Sequence, residues 1–595
     1  MESREVPCPS LTVFNGSWDQ VFATPRHLNY SIEDRPYVKT LRGYNISGPA
    51  IQAFILGSRV PERFRSELQR IESFSGDLSL QTLERLDGCR RTNEQPRALL
   101  DDRSNVGGPS CSRKYLGPLT TVGLYKELSK KRFSVCRNPE QKYLARPTNS
   151  SQHAGTDGVA DPAEPDADRR LIFITDPDCW SVLVLVATAS PHQAKSLRHM
   201  IHKYLSFKAS FGVSIPSTGL MVFYMEFHLP YYALRTSYSP IASPAVDERG
   251  LRRASPLLFA SPRKNGGTLE QGTEYLYEAQ ATCVITGTDH CRWVGYCFVE
   301  TYFDKDEDKE SVQSYHQDAI DGMRLDPFTL GKNDANMPIK TPRDYFVRVF
   351  EVRASQVKEE WTNVVERLDA RISEYMDGYN LPSIEERFMP YQKSIAARDW
   401  IVNSRKVLGK LSESLCVTLT AWDNSNWNTS DFLSDLRPSA SRSCLAITAS
   451  FNELRTLQKT LQHLLVRVND FSKSLELQFL LEGNRVSASE QKNSVYRNDL
   501  STLTAVFSPI ALAASLFSMR PEVLPLPPDP GTFLIVILFL ASFTTVILTV
   551  FRVKAWLWHV YPANGDMKAR LVAIRDQLYG VIQCGTGLAS GRDAD

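Results

Sequence analysis

Ser501, Thr504, Ser508, Ala511, Ser515 and Ser518 recur at alternating steps of three and four residues. On a helix that spacing places them on one side, while Leu503, Val506, Phe507, Ile510, Leu512, Ala513, Ala514, Leu516 and Phe517 fall on the other. Arg497 lies on the hydroxyl side one turn before Ser501. A row of hydroxyls has two uses inside a membrane. It lets helices approach closely and hydrogen-bond across the contact, or it lines a water-filled lumen and replaces part of an ion's hydration shell. The pattern leaves both open.

The stripe belongs to an uncharged segment, Leu500 to Met519, and a second apolar segment runs from Thr532 to Phe551. Each has about twenty residues, enough to cross a hydrocarbon core of roughly 30 Å as a helix. Pro509 is tolerated in a span whose neighbours satisfy the freed carbonyl. Between the segments, Arg520 to Gly531 carries prolines at 521, 525, 527, 528 and 530, which predict a stiff turn outside the membrane. Glu522 and Asp529 face the single Arg520 in that turn. Lys492, Arg497, Arg552 and Lys554 make the outer flanks basic, so both termini are expected in the cytosol. Trp556, Trp558 and Tyr561 supply an aromatic belt at the inner interface. The chain reads as a multi-pass membrane protein with a large cytosolic body, in the plasma membrane by default, with lipid as a partner.

Composition excludes other classes. The 595 residues carry a net charge of +2 and no dense Lys/Arg block, which argues against nucleic acid as a partner. The 11 cysteines are scattered, as in a reducing compartment. No signal or transit peptide opens the sequence, so the spans themselves are expected to direct insertion. No phosphate-binding loop, dinucleotide fingerprint, nucleophile elbow or metalloprotease helix is present, and no enzyme or cofactor is expected. Asp304, Asp306, Glu307 and Asp308 superficially resemble a calcium loop, but Lys309 and Tyr315 stand where that loop needs Gly and Glu. Asp289, His290, Cys291 and Cys297 are weighed as a zinc set against cysteines that merely pack as small hydrophobes, and packing is preferred.

The fold expected is an α/β cytosolic domain plus a long helical stalk and a C-terminal two-helix transmembrane hairpin. Residues 1–168 form a poorly characterised region with one helical candidate, Ile51 to Leu86, and a disordered linker. Residues 169–340 form the α/β domain. In it, Leu171 to Thr175, Ser181 to Ala187, Leu220 to Phe227 and Trp293 to Phe303 have strand length or strand composition. Pro191 to Leu205 reads as a helix entered at Ser190. Asn138 to Asp168 and Ser237 to Gly272 read as loosely ordered. Residues 341–499 form the stalk, with helices at Tyr345 to Tyr375 and Ile384 to Leu419. Within it Leu454, Leu457, Leu461, Leu464, Val468, Phe471 and Leu475 make a coiled-coil seam. Self-association and an intrachain bundle explain that seam equally well. Residues 500–551 are the hairpin and 552–595 a cytosolic tail.

The stretch from Leu503 through Pro509 to Arg520, with the order of long helix, span, short outer loop, span and basic tail, resembles the CorA superfamily (CorA/ZntB) of divalent-cation channels. Arg170 to Asp176, Trp293 to Asp304 and Asp326 to Phe346 are similar to a fungal branch of CorA-like transporter-domain proteins. The resemblance covers residues 169–558. It implies a homopentamer whose first span lines a pore for Mg²⁺ or another divalent cation, gated by the cytosolic domain. Arg497, Leu500, Ser501, Thr504, Ser508, Ala511 and Ser515 would line that pore, with Leu500 at a hydrophobic constriction. Ser518, Met519 and Arg520 occupy the family's Gly-Met-Asn signature, and only Met519 matches. Pro521-Glu522 is similar to the family's acidic outer loop. Where the family's Asn meets a hydrated cation, Arg520 would place a ring of positive charges that repel by several kcal/mol at moderate effective dielectric. The alternative is therefore a non-conducting, membrane-anchored signalling or scaffold protein of the same architecture.

Overall fold

The structure is a computed structural model. It describes residues 18, 20–26, 30–41, 50–56, 65–75, 78–88, 95–104, 113, 116–133, 165–214, 221–241, 251–257, 273–305, 309–379, 391–425, 436–518 and 529–560. The chain divides into two compact units, Met1–Lys473 and Ser474–Asp595.

The first unit is built on one mixed sheet. Its strands are β1 (Ala98–Arg103), β2 (Leu116–Leu119), β3 (Arg169–Thr175), β4 (Ser210–Ser214), β5 (Phe223–Ser237), β6 (Ala254–Pro256), β7 (Thr273–Gly287) and β8 (Trp293–Val299). The order is β2-β1-β3-β8-β7-β5-β4, with β6 pairing the part of β7 that β8 leaves free. The β3–β8 pair is parallel, and the other neighbours are antiparallel. Both faces of the central strands are covered, so β3 and β8 are buried at every position, and Leu171 to Ile174 of β3 is a continuous apolar run. β1 pairs with β3 from Ala98 opposite Ile174 to Arg103 opposite Arg169, so the sheet draws strands from both sides of position 168.

One face carries α1 (Ala50–Leu56), α2 (Arg65–Ser75), α3 (Leu80–Gly88), α4 (Thr121–Leu128), α5 (Cys179–Thr188) and α6 (Pro191–Leu205). Ile172, Ile174, Val284, Tyr296 and Phe298 share their core. The expected Ile51–Leu86 helix is three helices, with Gly57, Pro61 and Gly76 falling in the sequence between them. Ser181 to Ala187 is not a strand but the body of α5. Asp178 caps that helix by accepting from the Ser181 backbone N–H at 2.8 Å. Nearly every α5 residue is buried, so no amphipathic period distinguishes it from a buried strand. Part of the stretch expected to be loose, Ser237 to Gly272, is ordered. It holds β6 and a buried Arg252 whose Nε donates to Glu300 at 2.9 Å.

The other face carries α7 (Val312–Ile320) and α8 (Pro342–Gly378), with α9 (Tyr391–Asp423) and the start of α10 (Pro438–Phe517) beyond. Phe350 of α8 stacks on Phe227 of β5 at 4.8 Å. The leucine seam of α10 is closed within the chain. Phe451 stacks on Trp422 of α9 at 4.0 Å, and Phe471 meets Tyr375 of α8 and Trp400 of α9 edge-on. Leu454, Leu461, Leu464 and Val468 are fully buried there. An intrachain three-helix bundle therefore accounts for the seam without a second chain.

Candidate functional site: the C-terminal apolar helices

The second unit holds the end of α10 and the whole of α11 (Pro530–Val560). Among the described residues, one helix is long and apolar enough to cross a membrane, through Pro530–Ile547. Leu534, Ile535, Leu538, Phe539, Phe543, Val546 and Val550 are each more than half exposed on it. A contiguous apolar surface of this kind marks a lipid or protein contact. Among the described residues the apolar stretch of the first expected span is the shorter Phe507–Phe517.

The sides of α10 are distinct. Pro509 and Ala513 are buried and Leu516 and Phe517 half-buried, a spacing that defines one covered side. Phe517 meets Phe533 of α11 edge-on at 5.2 Å. On α11 the half-buried Phe533, Val536, Ile537, Leu540, Ala541 and Thr544 form the matching side. Thr504, Ala511, Ser515 and Ser518 are exposed and Ser508 is half-buried. At about 100° per residue, Thr504 and Ser515 lie roughly half a turn around the helix from Ala513. The hydroxyl stripe thus points away from α11, and Leu500, 70% exposed, lies beside it.

Two of the hydroxyls present acceptors rather than donors. Thr504 Oγ1 donates to the Leu500 carbonyl at 2.8 Å and Ser515 Oγ to the Leu512 carbonyl at 2.9 Å. With the proton committed to the helix, the outward-facing atoms offer oxygen lone pairs. Lone pairs suit a cation or a water shell and repel an anion.

The remaining expected residues divide. Ser518 is exposed and continues the helical turn, its N–H donating to Ala514 at 3.0 Å. Asp529 is exposed and opens α11, its carbonyl accepting from Phe533 N at 3.2 Å. Arg497 and Ser501 belong to α10, but their side chains lie outside the described residues. Met519, Arg520 and Glu522 lie outside them as well.

The sequence-based metal candidates do not converge. Asp289 is fully buried and accepts from Cys291 N at 2.9 Å and Arg292 N at 2.8 Å, which spends its carboxylate on its own turn. His290 Nε2 accepts from the Trp18 indole at 2.7 Å. Burial, with Arg343 nearby, lowers its pKa and keeps it neutral. Cys297 is buried opposite Cys283 in the β7–β8 pair. Among the described residues no group of three or more His, Cys, Asp or Glu is placed to hold a metal ion. Asp304 of the acidic run pairs with Arg235 at 2.7 Å, and Glu310 beyond the run pairs with Arg353 at 2.8 Å. Residues 306–308 lie outside the described residues.

Arg353 is a hub that sequence reasoning missed. It has no exposed surface, pairs through both Nη atoms with Glu310, and donates Nε to the Phe328 carbonyl at 2.9 Å. The signal was present: a charge set into the apolar side of α8 formed by Phe346, Val349, Phe350, Val357 and Trp361.

No family model and no curated protein matches the chain. Among solved structures it is similar to full-length CmaX, with a TM-score of 0.30 and 10% identity over 64% of this chain and 88% of that one. It is also similar to the CorA magnesium transporter of Methanocaldococcus jannaschii, with a TM-score of 0.27 and 11% identity over 77% and 98%. A third likeness is to the ZntB cytoplasmic domain of Vibrio parahaemolyticus, with a TM-score of 0.25 and 8% identity over 52% and 89%. Likenesses of this size establish neither architecture nor activity for this chain.

Proposed function

We propose that the chain is a CorA-like channel or transporter for a divalent cation, working as a homo-oligomer in a membrane. In this reading α10 and α11 both span, the termini are cytosolic, and copies of α10 surround an aqueous axis. Arg497, Leu500, Ser501, Thr504, Ser508, Ala511 and Ser515 line the passage. Ser518, Met519 and Arg520 form its mouth, with Glu522 and Asp529 in the outer loop, and the sheet-bearing unit gates it. The observation that carries the proposal is the direction of the stripe. The side of α10 that meets α11 is the Pro509–Ala513–Phe517 side, so packing between the two helices leaves Thr504, Ser515 and Ser518 exposed. Their lone pairs suit hydrated cations. Purified protein in proteoliposomes, loaded with a metal-sensing dye, tests it across Mg²⁺, Co²⁺, Ni²⁺ and Zn²⁺. A saturable flux of at least one cation supports the proposal.

A second reading is a non-conducting anchored scaffold. Arg520 and Arg497 favour it, because a ring of guanidiniums opposes cation passage. A folded oligomer that passes no cation, with or without Arg520, is the outcome that selects it.

A further inference from the structure

Trp18 and residues 20–26 form a strap across one end of the sheet, beside the β7–β8 turn and the first residue of β5. Its middle is held by apolar contact and a backbone bond. Phe22 is fully buried and meets Phe223 edge-on at 5.3 Å, and its carbonyl accepts from His290 N at 2.8 Å. Polar bonds fix the far end. Arg26 Nη1 donates to the Met221 carbonyl at 2.8 Å, and Arg292 Nη1 donates to the Arg26 carbonyl at 2.8 Å. Arg26 N donates to the Asp289 carboxylate at 3.3 Å. Gly287 lets this corner close, because a Cβ there would lie 2.5 Å from the Arg292 carbonyl and 2.9 Å from the Phe223 ring.

Trp18 is held differently. Its ring packs on Phe22 and on Phe223, each at 5.1 Å, and the Arg343 guanidinium of α8 lies over it at 5.1 Å. Its indole Nε1–H donates to His290 Nε2 at 2.7 Å. An indole nitrogen can only donate, so this bond requires His290 Nε2 to be unprotonated. A proton on Nε2 would set two N–H groups against each other. It would also place a second cation on the ring cluster that Arg343 already covers.

We propose that the Trp18–His290 bond is an acid-sensitive latch: protonation of His290 releases the Trp18 end of the strap, while Phe22 to Arg26 stay in place. The charged groups that act on His290 are Arg343 and Asp344 of α8 and Asp289 of its own turn. Asp289 accepts from Cys291 N, Arg292 N and Arg26 N. Asp344 accepts from the Thr341 hydroxyl at 2.6 Å and pairs with Arg437 at 3.4 Å. Both carboxylates are thus engaged elsewhere, and the strap's own Arg26 is turned to the Met221 carbonyl. Burial and Arg343 hold the ring below its ordinary 6.5. The latch is therefore closed at neutral pH and opens as pH falls below that value.

The test uses the full chain in detergent micelles, with its tryptophans replaced by 5-fluorotryptophan. The fluorine resonance of Trp18 is assigned by its loss in Trp18→Phe and followed from about pH 7.5 to about pH 4.5, the range in which histidines titrate. The expected result is one step with a midpoint below 6.5, towards the position of a solvent-exposed tryptophan, while the buried Trp293 and Trp361 hold still. His290→Gln keeps an acceptor but no titrating group, and should hold the neutral-pH position throughout. His290→Lys carries the charge at every pH used, and should show the released position already at neutral pH. The titration of the unaltered protein decides by itself if a variant does not fold. The proposal is overturned by a Trp18 resonance indifferent to pH, by one that moves only together with Trp293 and Trp361, or by the same step in His290→Gln.

Discussion

Phe517 of α10 meets Phe533 of α11 edge-on at 5.2 Å, and this contact fixes which side of α10 turns inward to its neighbour. Ala513 lies one turn before Phe517 and is fully buried, whereas Ser515 between them is exposed. In the proposed channel the exposed hydroxyls of Thr504 and Ser515 are the ones that face the axis between copies.

The first prediction separates the two uses of α10. Ala513→Leu overpacks the contact with α11 and should destabilise the α10–α11 pair by about 1–3 kcal/mol, seen as a lower unfolding midpoint in detergent. Ser508→Leu and Ser515→Leu should leave that midpoint nearly unchanged while removing cation flux. Equal destabilisation by all of them would return the stripe to a packing role.

Arg520→Asn should raise divalent flux at least tenfold, since removing the ring of charge lowers the barrier by more than about 1.4 kcal/mol. Proteoliposome uptake measures it, with oligomer size checked by light scattering. Unchanged flux from a conducting oligomer would mean that Arg520 turns away from the mouth.

Arg353 is a fully buried charge of the sheet-bearing unit. Replacing it with alanine strands Glu310 in a mostly buried position and should cost roughly 3–5 kcal/mol. Arg353→Ala with Glu310→Gln should recover part of that loss in denaturant unfolding. A double variant no better than the single one would show that lost packing, not the stranded charge, sets the cost.

Acid sensitivity follows from two histidines of α6. Burial, reinforced by Lys203 for His199 and by Lys208 for His202, lowers both from an ordinary 6.5 to about 4. Between these values the unfolded chain binds protons that the folded chain refuses, so their contribution is present above about pH 6.5 and lost as pH falls toward 4. Asp326, raised from 3.8 to about 6, works in the opposite direction. His199→Gln with His202→Gln should flatten the fall in midpoint across this window. An undiminished slope would assign acid lability elsewhere.

Legibility varied with the kind of signal each element carried. α6 was readable because Ser190 and Gln193 form a capping box around Pro191 and an amphipathic period follows. β8 was readable from its aromatic and β-branched run beginning at Trp293. α5 was not, because burial on all sides erases periodicity, and Asp178 was the sole mark of its start. The seam at Leu454 to Leu475 announced a helical partner but not its identity, since α8, α9 and a second chain offer the same apolar surface. In the candidate site the spacing of Ser501 to Ser518 gave the face, but only the positions of Pro509, Ala513 and Phe517 showed which side α11 takes. The Arg353–Glu310 pair depends on loop closure, which residue spacing does not encode.

The central claim is that the stripe meets water and not lipid. Cysteines placed at Ser508 and, separately, at Phe539 on the exposed side of α11 can be challenged with a membrane-impermeant thiol reagent in liposomes, against the unaltered protein as background. The account predicts rapid modification at position 508, slowed by a permeant divalent cation, and none at position 539. Protection of position 508 equal to that of position 539, in a folded oligomer, would contradict it.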